Sequence, residues 1–349
     1  PGPVGLAVSG GSDSTALLLL ARDWAEARGR EIAAITVDHG LRPEAAGEAE
    51  AVARLCARLG VPHAIRSWNA PSGRGNLQAR AREARRALIA AWAGETGIAA
   101  VALGHTLDDQ AETVLLRLAR GSGVDGLSAM APSVQAEGTL WLRPLLGLRR
   151  EALRSFLRAE GIAWAEDPSN TNANFDRVRA RALLESLGDL GLSPERLAAT
   201  ASAMGRARRA LTASGAALAS AALRSGRYGE VEMEVAVLSN APRDLADRVL
   251  AGTLCWVAGA RYRPRYAALS KLQDALAAGR IGRGASLHGC LLRPLRSGAV
   301  SVRREPAAMM GSVPAETGRW DGRWSLSLAP GRAEGLTLGA LGRSGVAEL

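Results

Sequence analysis

Lysine is nearly missing from this 349-residue chain: Lys271 is the only one, and the other 43 basic residues are arginine. A Walker-type phosphate loop needs a lysine at its exit. Lys271 stands in Leu269-Ser270-Lys271-Leu272 with no glycine loop before it, so that loop is excluded. Schiff-base chemistry is confined to the same position. Cys56, Cys255 and Cys290 are odd in number and far apart, with no Cys-x-x-Cys. This excludes a disulfide framework, a zinc ribbon and an iron–sulfur loop, and places the chain in a reducing compartment, the cytoplasm. Aromatics make up 4% of the residues, which argues against a stacking-rich platform for single strands. No run of about 18 apolar residues and no signal peptide occurs, so no membrane partner is expected. The chain opens at Pro1 just ahead of a strand, and residues upstream are expected.

What is present is an ordinary globular composition, 47% apolar and 22% charged, long enough for two domains. The net charge of +10 favours an anionic partner, nucleic acid first. The preference for arginine over lysine carries little function, since a GC-rich coding sequence writes it everywhere.

The first half alternates short apolar runs with helical segments: strands at Val4–Val8, Ile32–Val37, His63–Trp68 and Ala99–Leu103, and helices over Thr15–Ala27, Glu44–Leu59, Leu77–Trp92 and Asp108–Arg120. That alternation predicts an α/β fold with a Rossmann-like parallel sheet, whose ligands bind in the loops at the carboxyl ends of the strands. A further helix is predicted over Arg149–Glu160, and Ser193–Leu223 reads as one long bridging helix. Beyond Gly226, Val231–Leu238 reads as a strand, Ala241–Val257 and Tyr266–Ala277 as helices, and Ser286–Arg304 as paired strands. The expected domains are 1–190, a linker helix over 191–225, a small α+β module at 226–305, and a Gly-rich tail at 306–349. The tail carries a hairpin around Trp320-Asp321-Gly322-Arg323-Trp324 and is read as the start of a further C-terminal domain.

Directly after the first strand comes Ser9-Gly10-Gly11-Ser12-Asp13-Ser14, then a helix. Consecutive glycines let backbone N–H groups point inward, the helix N-terminus adds positive potential, and the serines add hydroxyl donors, so phosphate can bind without a lysine. The plainer reading is a tight turn with Ser12 or Asp13 as helix cap. This hexapeptide resembles the PP-loop of the N-type ATP pyrophosphatases. Further segments follow in order: Val37-Asp38-His39-Gly40-Leu41-Arg42, Arg80-Ala81-Arg82-Glu83-Ala84-Arg85, Leu103-Gly104-His105-Thr106-Leu107-Asp108-Asp109-Gln110-Ala111-Glu112-Thr113, Arg143-Pro144-Leu145-Leu146, Glu166-Asp167-Pro168-Ser169-Asn170 and Phe175-Asp176-Arg177-Val178-Arg179. Over about residues 4–185 this set is similar to the tRNA(Ile)-lysidine synthetases. Val178 departs from the family pattern, which has Asn there.

The resemblance implies an ATP-dependent ligase. ATP adenylates O2 of the wobble cytidine in a tRNA(Ile) with a CAU anticodon, and the ε-amine of free L-lysine then displaces AMP. It implies that Ser9, Gly10, Gly11, Ser12, Asp13 and Ser14 bind ATP with His39, and that Asp13 meets Mg²⁺. His105, Asp109 and Glu112, at spacings of four and three, share one face if the helix starts near His105; the two carboxylates then suit a cationic lysine and its proton. Asp108 and Asp109 read otherwise as a solvated acidic first turn. Only the resemblance lifts Arg85 and Arg177 out of the arginine background as catalytic cations, with Arg82 and Arg120 behind them and Arg42 and Arg143 near the entrance. Arg206, Arg208, Arg209, Arg293 and Arg296, followed by Arg261, Arg263, Arg265, Arg303 and Arg304, are the expected tRNA phosphate contacts. A homodimer is left open. The competing readings are a PP-loop tRNA thiolase, which would need a Cys-x-x-Cys near the site, and a non-catalytic tRNA-binding protein, which would have a broken loop.

Overall fold

A computed structural model describes residues 2–38, 40, 44–68, 77–166, 176–329 and 332–340. The chain divides into two compact units, 1–208 and 209–349. Unit 1 runs β1 (Val4–Ala7), α1 (Ser12–Arg28), β2 (Ile32–Asp38), α2 (Glu44–Arg58), β3 (His63–Ser67), α3 (Leu77–Glu95), β4 (Ala100–Leu103), α4 (Leu107–Leu118) and a short α5 (Val124–Leu127). It continues through β5 (Ser133–Ala136), β6 (Thr139–Leu142), α6 (Arg150–Ala159) and α7 (Asp176–Ser186) into α8 (Pro194–Ala222), which runs on into unit 2. The sheet order is β3-β2-β1-β4-β6-β5, with every pairing parallel except the β5–β6 edge. The expected Rossmann-like sheet is present; the β5–β6 hairpin was not anticipated.

Alternation along the strands builds a core on each face. Ala34 and Ala102 pack with α1, α2 and α6 on one face, while their neighbours Ile35 and Val101 pack with Ile89 and Trp92 of α3 on the other. Strand order reverses at β1, with β2 on one side and β4 on the other, so a crevice opens at their carboxyl ends. Among the described residues no helix is long and apolar enough to cross a membrane.

Unit 2 holds an antiparallel sheet in the order β7-β8-β11-β10-β9: β7 (Leu223–Ser225), β8 (Val231–Met233), β9 (Ala285–Leu287), β10 (Cys290–Pro294) and β11 (Val300–Arg304). Helices α9 (Val235–Ser239), α10 (Arg243–Ala258) and α11 (Tyr266–Ala277) pack on it through Leu250, Leu254 and Leu272. The strand expected over Val231–Leu238 stops at Met233, and Val235–Ser239 coils into α9, whose Leu238 is buried in the same core. The Trp320–Trp324 hairpin forms as expected.

The tail is tied to this module by Arg304. Its guanidinium donates to both oxygens of Asp321 (2.8 and 3.0 Å), and Met310 N–H donates to Asp321 Oδ1 at 3.1 Å. The Asp321 side chain is 1% exposed, so Arg304 belongs to a buried ion pair and leaves the tRNA-contacting set. Arg304→Ala strands a buried carboxylate and is expected to lower stability by about 3–5 kcal/mol in urea unfolding. Asp321→Ala in the same background should recover part of that loss.

Candidate active site

The loop after β1 turns at Gly10, whose φ of +85° suits glycine, and Gly11 precedes α1 in extended conformation. No side chain caps α1, so neither Ser12 nor Asp13 serves as a simple cap. The hydroxyls preorganise the loop: Ser9 N–H donates to Ser14 Oγ at 3.1 Å, Ser14 Oγ to the Gly11 carbonyl at 3.1 Å, and Ser12 Oγ to Asp13 Oδ1 at 3.1 Å. A Cβ on Gly11 would meet nothing within 4 Å, so this backbone faces open space.

The end of β4 lies against that loop because residue 104 is glycine: a Cβ there would come within 3.0 Å of the Asp13 carbonyl and Ser14 Cα. The chain then enters α4 through a capping box. Thr106 Oγ1 accepts from Asp109 N–H, and Asp109 Oδ2 accepts from the Thr106 backbone N–H at 2.8 Å and hydroxyl at 2.9 Å. Helix α4 therefore begins at Leu107 rather than near His105, and the expected single face for His105, Asp109 and Glu112 is corrected: His105 lies ahead of the cap. It remains close enough for the Asp109 charge to act on it. Burial, opposed by Asp109 and reinforced by Arg143, Arg82 and Arg177, lowers the His105 imidazole to about 4. The ring is neutral at pH 7, and its buried Nδ1 has no partner.

The centre of the site is a residue that sequence reasoning passed over. Arg150, at the start of α6, donates from Nε to Asp13 Oδ2 (2.9 Å), from Nη2 to Asp109 Oδ1 (3.2 Å) and from Nη1 to Glu112 Oε1 (3.5 Å). Asp108 positions it: Oδ2 accepts the Arg150 backbone N–H at 2.7 Å, and Oδ1 accepts from Arg149 Nε at 3.1 Å. The solvated-turn reading of Asp108 and Asp109 is thus replaced by a structural role for Asp108 and a buried one for Asp109. Helix α7 adds a second unanticipated cation. Arg181 Nε and Nη2 donate to Glu112 Oε1 at 3.1 and 3.0 Å, and one turn earlier Arg177 Nη1 stands 4.0 Å from Asp109 Oδ1. A spacing of four between two arginines, facing carboxylates three apart on α4, was the signal available in the sequence. Glu112 Oε2 is buried and unpartnered. Burial would raise the Asp109 pKa, but Arg150 and the Thr106 donors outweigh it and hold the carboxyl below its usual range.

Arginine charge also gathers around His105. Burial, then Arg177, Arg85, Arg143 and Arg86, lower the Arg82 guanidinium, although that residue keeps exposed surface. Arg143 donates to the Ala131 carbonyl at 2.8 Å, and Arg120 pairs with Asp176 at 3.2 Å. Exposed Arg206, Arg209, Arg293 and Arg296 and half-buried Arg208 lie on α8, on β10 and in the turn after it. His39, Arg42 and Asp167–Asn170 fall outside the described residues. Cys56 is fully buried in the core and its thiol is pushed up to about 11, so it is no sulfur carrier.

Among the described residues no three His, Cys, Asp or Glu side chains group as a metal cage. Asp13, the carboxylate in the phosphate loop, already accepts from Ser12 Oγ at 3.1 Å and from Arg150 Nε at 2.9 Å.

A PP-loop domain model matches residues 2–187, so unit 1 is built on a PP-loop ATP-binding domain. The tRNA(Ile)-lysidine synthase of Ruegeria pomeroyi is 45% identical over 328 residues, covering 93% of this chain and 77% of the relative. That of Methylobacterium nodulans is 42% identical, covering 89% and 92%. The chain belongs to the tRNA(Ile)-lysidine synthase family. A U34-tRNA thiolase from Methanococcus maripaludis shares the fold with a TM-score of 0.51 and 17% identity, covering 59% of this chain and 71% of the thiolase.

Two outcomes are expected. An imidazole whose folded pKa lies below its ordinary 6.5 takes up a proton more readily when unfolded. Its contribution to stability is therefore present above pH 6.5 and is lost as pH falls toward 4. His105→Gln should flatten that part of the stability–pH curve in urea unfolding. Arg150→Ala should lower activity at least about 100-fold and lower Tm, because it uncovers buried carboxylates. Arg150→Lys should keep the fold but recover little activity, since a point charge cannot bridge three acceptors.

Proposed function

We propose that this protein converts the wobble cytidine of a CAU-anticodon tRNA(Ile) to lysidine, consuming ATP and free L-lysine, in the cytoplasm. The observation that carries the reading is the meeting, at the carboxyl ends of β1 and β4, of an intact phosphate loop with a buried carboxylate pair. It stands in a chain 45% identical to a lysidine synthase.

In the first step O2 of the cytidine attacks the α-phosphorus of ATP, forming an O–P bond and releasing pyrophosphate. Ser9–Ser14 are assigned to hold the departing pyrophosphate by backbone N–H groups and hydroxyls; a Mg²⁺ ion brought by ATP would offset its charge, and Asp13 is the carboxylate assigned to it. The arginines around His105 supply the surrounding positive potential, and Arg85 and Arg177 are the cations assigned to the phosphates and the reacting base.

In the second step the ε-amine forms the C2–N bond and AMP leaves with the O2 oxygen. The amine, with an ordinary pKa near 10.4, must lose a proton to attack. Asp109 and Glu112 are assigned to the ammonium. Glu112 Oε2 supports that role, being a buried acceptor with no internal donor, while Arg150 and Arg181 fix the other oxygen. His105, neutral at working pH, serves as a hydrogen-bonding group and not as a cation. The thiolase reading is disfavoured by the buried Cys56, and the non-catalytic one by the ordered loop.

With ATP and labelled lysine, label should enter tRNA(Ile) carrying CAU and not GAU, with AMP and pyrophosphate released. No incorporation by the folded chain defeats the proposal. Glu112→Gln, which keeps shape, should reduce lysine transfer at least about 100-fold while the tRNA Kd stays within about twofold.

A further inference from the structure

Unit 2 carries an open groove of about 340 Å³ that the reaction above does not use. Its walls are α8 at Gly215 and Ala219 and α10 at Gly252 and Trp256, with Arg248 and Arg263 also lining it. Gly215 and Gly252 both stand inside helices, where glycine is less favourable than alanine. Packing does not require the second: a Cβ on Gly252 would meet nothing within 4 Å and would project into open space. At Gly215 a Cβ would come within 3.2 Å of the Arg248 side chain, so the glycine lets that arginine lie across α8.

Trp256 in the groove wall is one of several exposed aromatics on unit 2. All three tyrosines, Tyr228, Tyr262 and Tyr266, are exposed in unit 2, as are Trp256 (56%) and Trp324 (42%). Arg323 bridges the two tryptophans, with its guanidinium 5.9 Å from the Trp256 ring and 5.5 Å from the Trp324 ring. Arg227 and Arg261 lie over Tyr228 and Tyr262 in the same way. Exposed rings interleaved with guanidiniums make a surface that receives unstacked bases and their phosphates. Unit 2 has the same low share of aromatics as the whole chain, but these five are exposed.

We propose that the groove takes one unstacked nucleotide of the bound RNA, its base against Trp256 and its phosphate on Arg248 and Arg263. The volume lies in the range of about 300–1,000 Å³ usual for small-ligand sites, and permanently charged arginines complement a phosphodiester. The site rests on the reading of tRNA as substrate and adds to it a contact on unit 2.

The test uses the full chain and a CAU-anticodon tRNA(Ile) transcript, measuring Kd by filter binding without ATP or lysine and, separately, lysidine formation by the wild type. Trp256→Ala removes the ring, and Gly252→Leu fills the groove. Each should raise Kd about 5–150-fold, the range expected for one stacked base. Gly252→Ala, which improves helix propensity, should raise Kd less while Tm stays equal or rises, separating groove occupancy from damage to the fold. An unchanged Kd in folded Trp256→Ala and Gly252→Ala overturns the proposal. So does a change of oligomeric state by sedimentation in Gly252→Leu with tRNA affinity intact, which would make the groove a contact between copies. A wild type that binds the transcript through the groove but forms no lysidine overturns the reaction instead and leaves the groove standing.

Discussion

One guanidinium holds this site in register. Arg150 reaches Asp13 on the phosphate loop, Asp109 in the cap of α4 and Glu112 one turn further on, so three carboxylates from two separate elements converge on a single charge. Burying acidic groups this deeply is tolerable only with counter-charge in place, and the side chain supplying it is itself 17% exposed. Its own placement depends on Asp108, which accepts the backbone N–H at the first turn of α6. The phosphate loop and the carboxylate pair are therefore parts of one electrostatic unit.

That dependence explains how the secondary elements serve the site. The strand reversal at β1 opens the crevice, Gly104 lets β4 approach the loop, and the Thr106–Asp109 capping box sets where α4 begins. Helix α7 then seals the buried side with Arg181, over a small apolar contact of Ala111, Val114, Leu184 and Leu197. Asp109 serves both as cap and as a member of the carboxylate group, so its geometry is fixed by folding before any substrate arrives.

Much of this was legible from local signals. The parallel sheet follows from alternating apolar runs, and Ser9–Ser14 announces its phosphate-binding geometry in six consecutive residues. Asp109 and Glu112 emerge from spacing and family pattern. Arg150 did not, because it is 137 residues from Asp13 and one of 43 arginines, so neither residue type nor local spacing singles it out. The His105 placement failed because Thr106 competes better for the cap. The β5–β6 hairpin went unseen although Glu137-Gly138 carries the positive φ of a tight turn between two alternating tetrapeptides. The strand expected over Val231–Leu238 failed for a tertiary reason, since the core rewards burying Leu238 from a helix.

The cations around the buried carboxylates, Arg150, Arg181 and Arg177, are all arginines, and unit 1 contains no lysine at all. Guanidiniums stay protonated across the working pH range and are poor nucleophiles. Under the proposed reaction the activated cytidine is an electrophile that a free amine could capture. Unit 1 offers no lysine side chain to compete for that electrophile. Whatever wrote lysine out of unit 1, the only ε-amine open to the proposed reaction there is one delivered from outside.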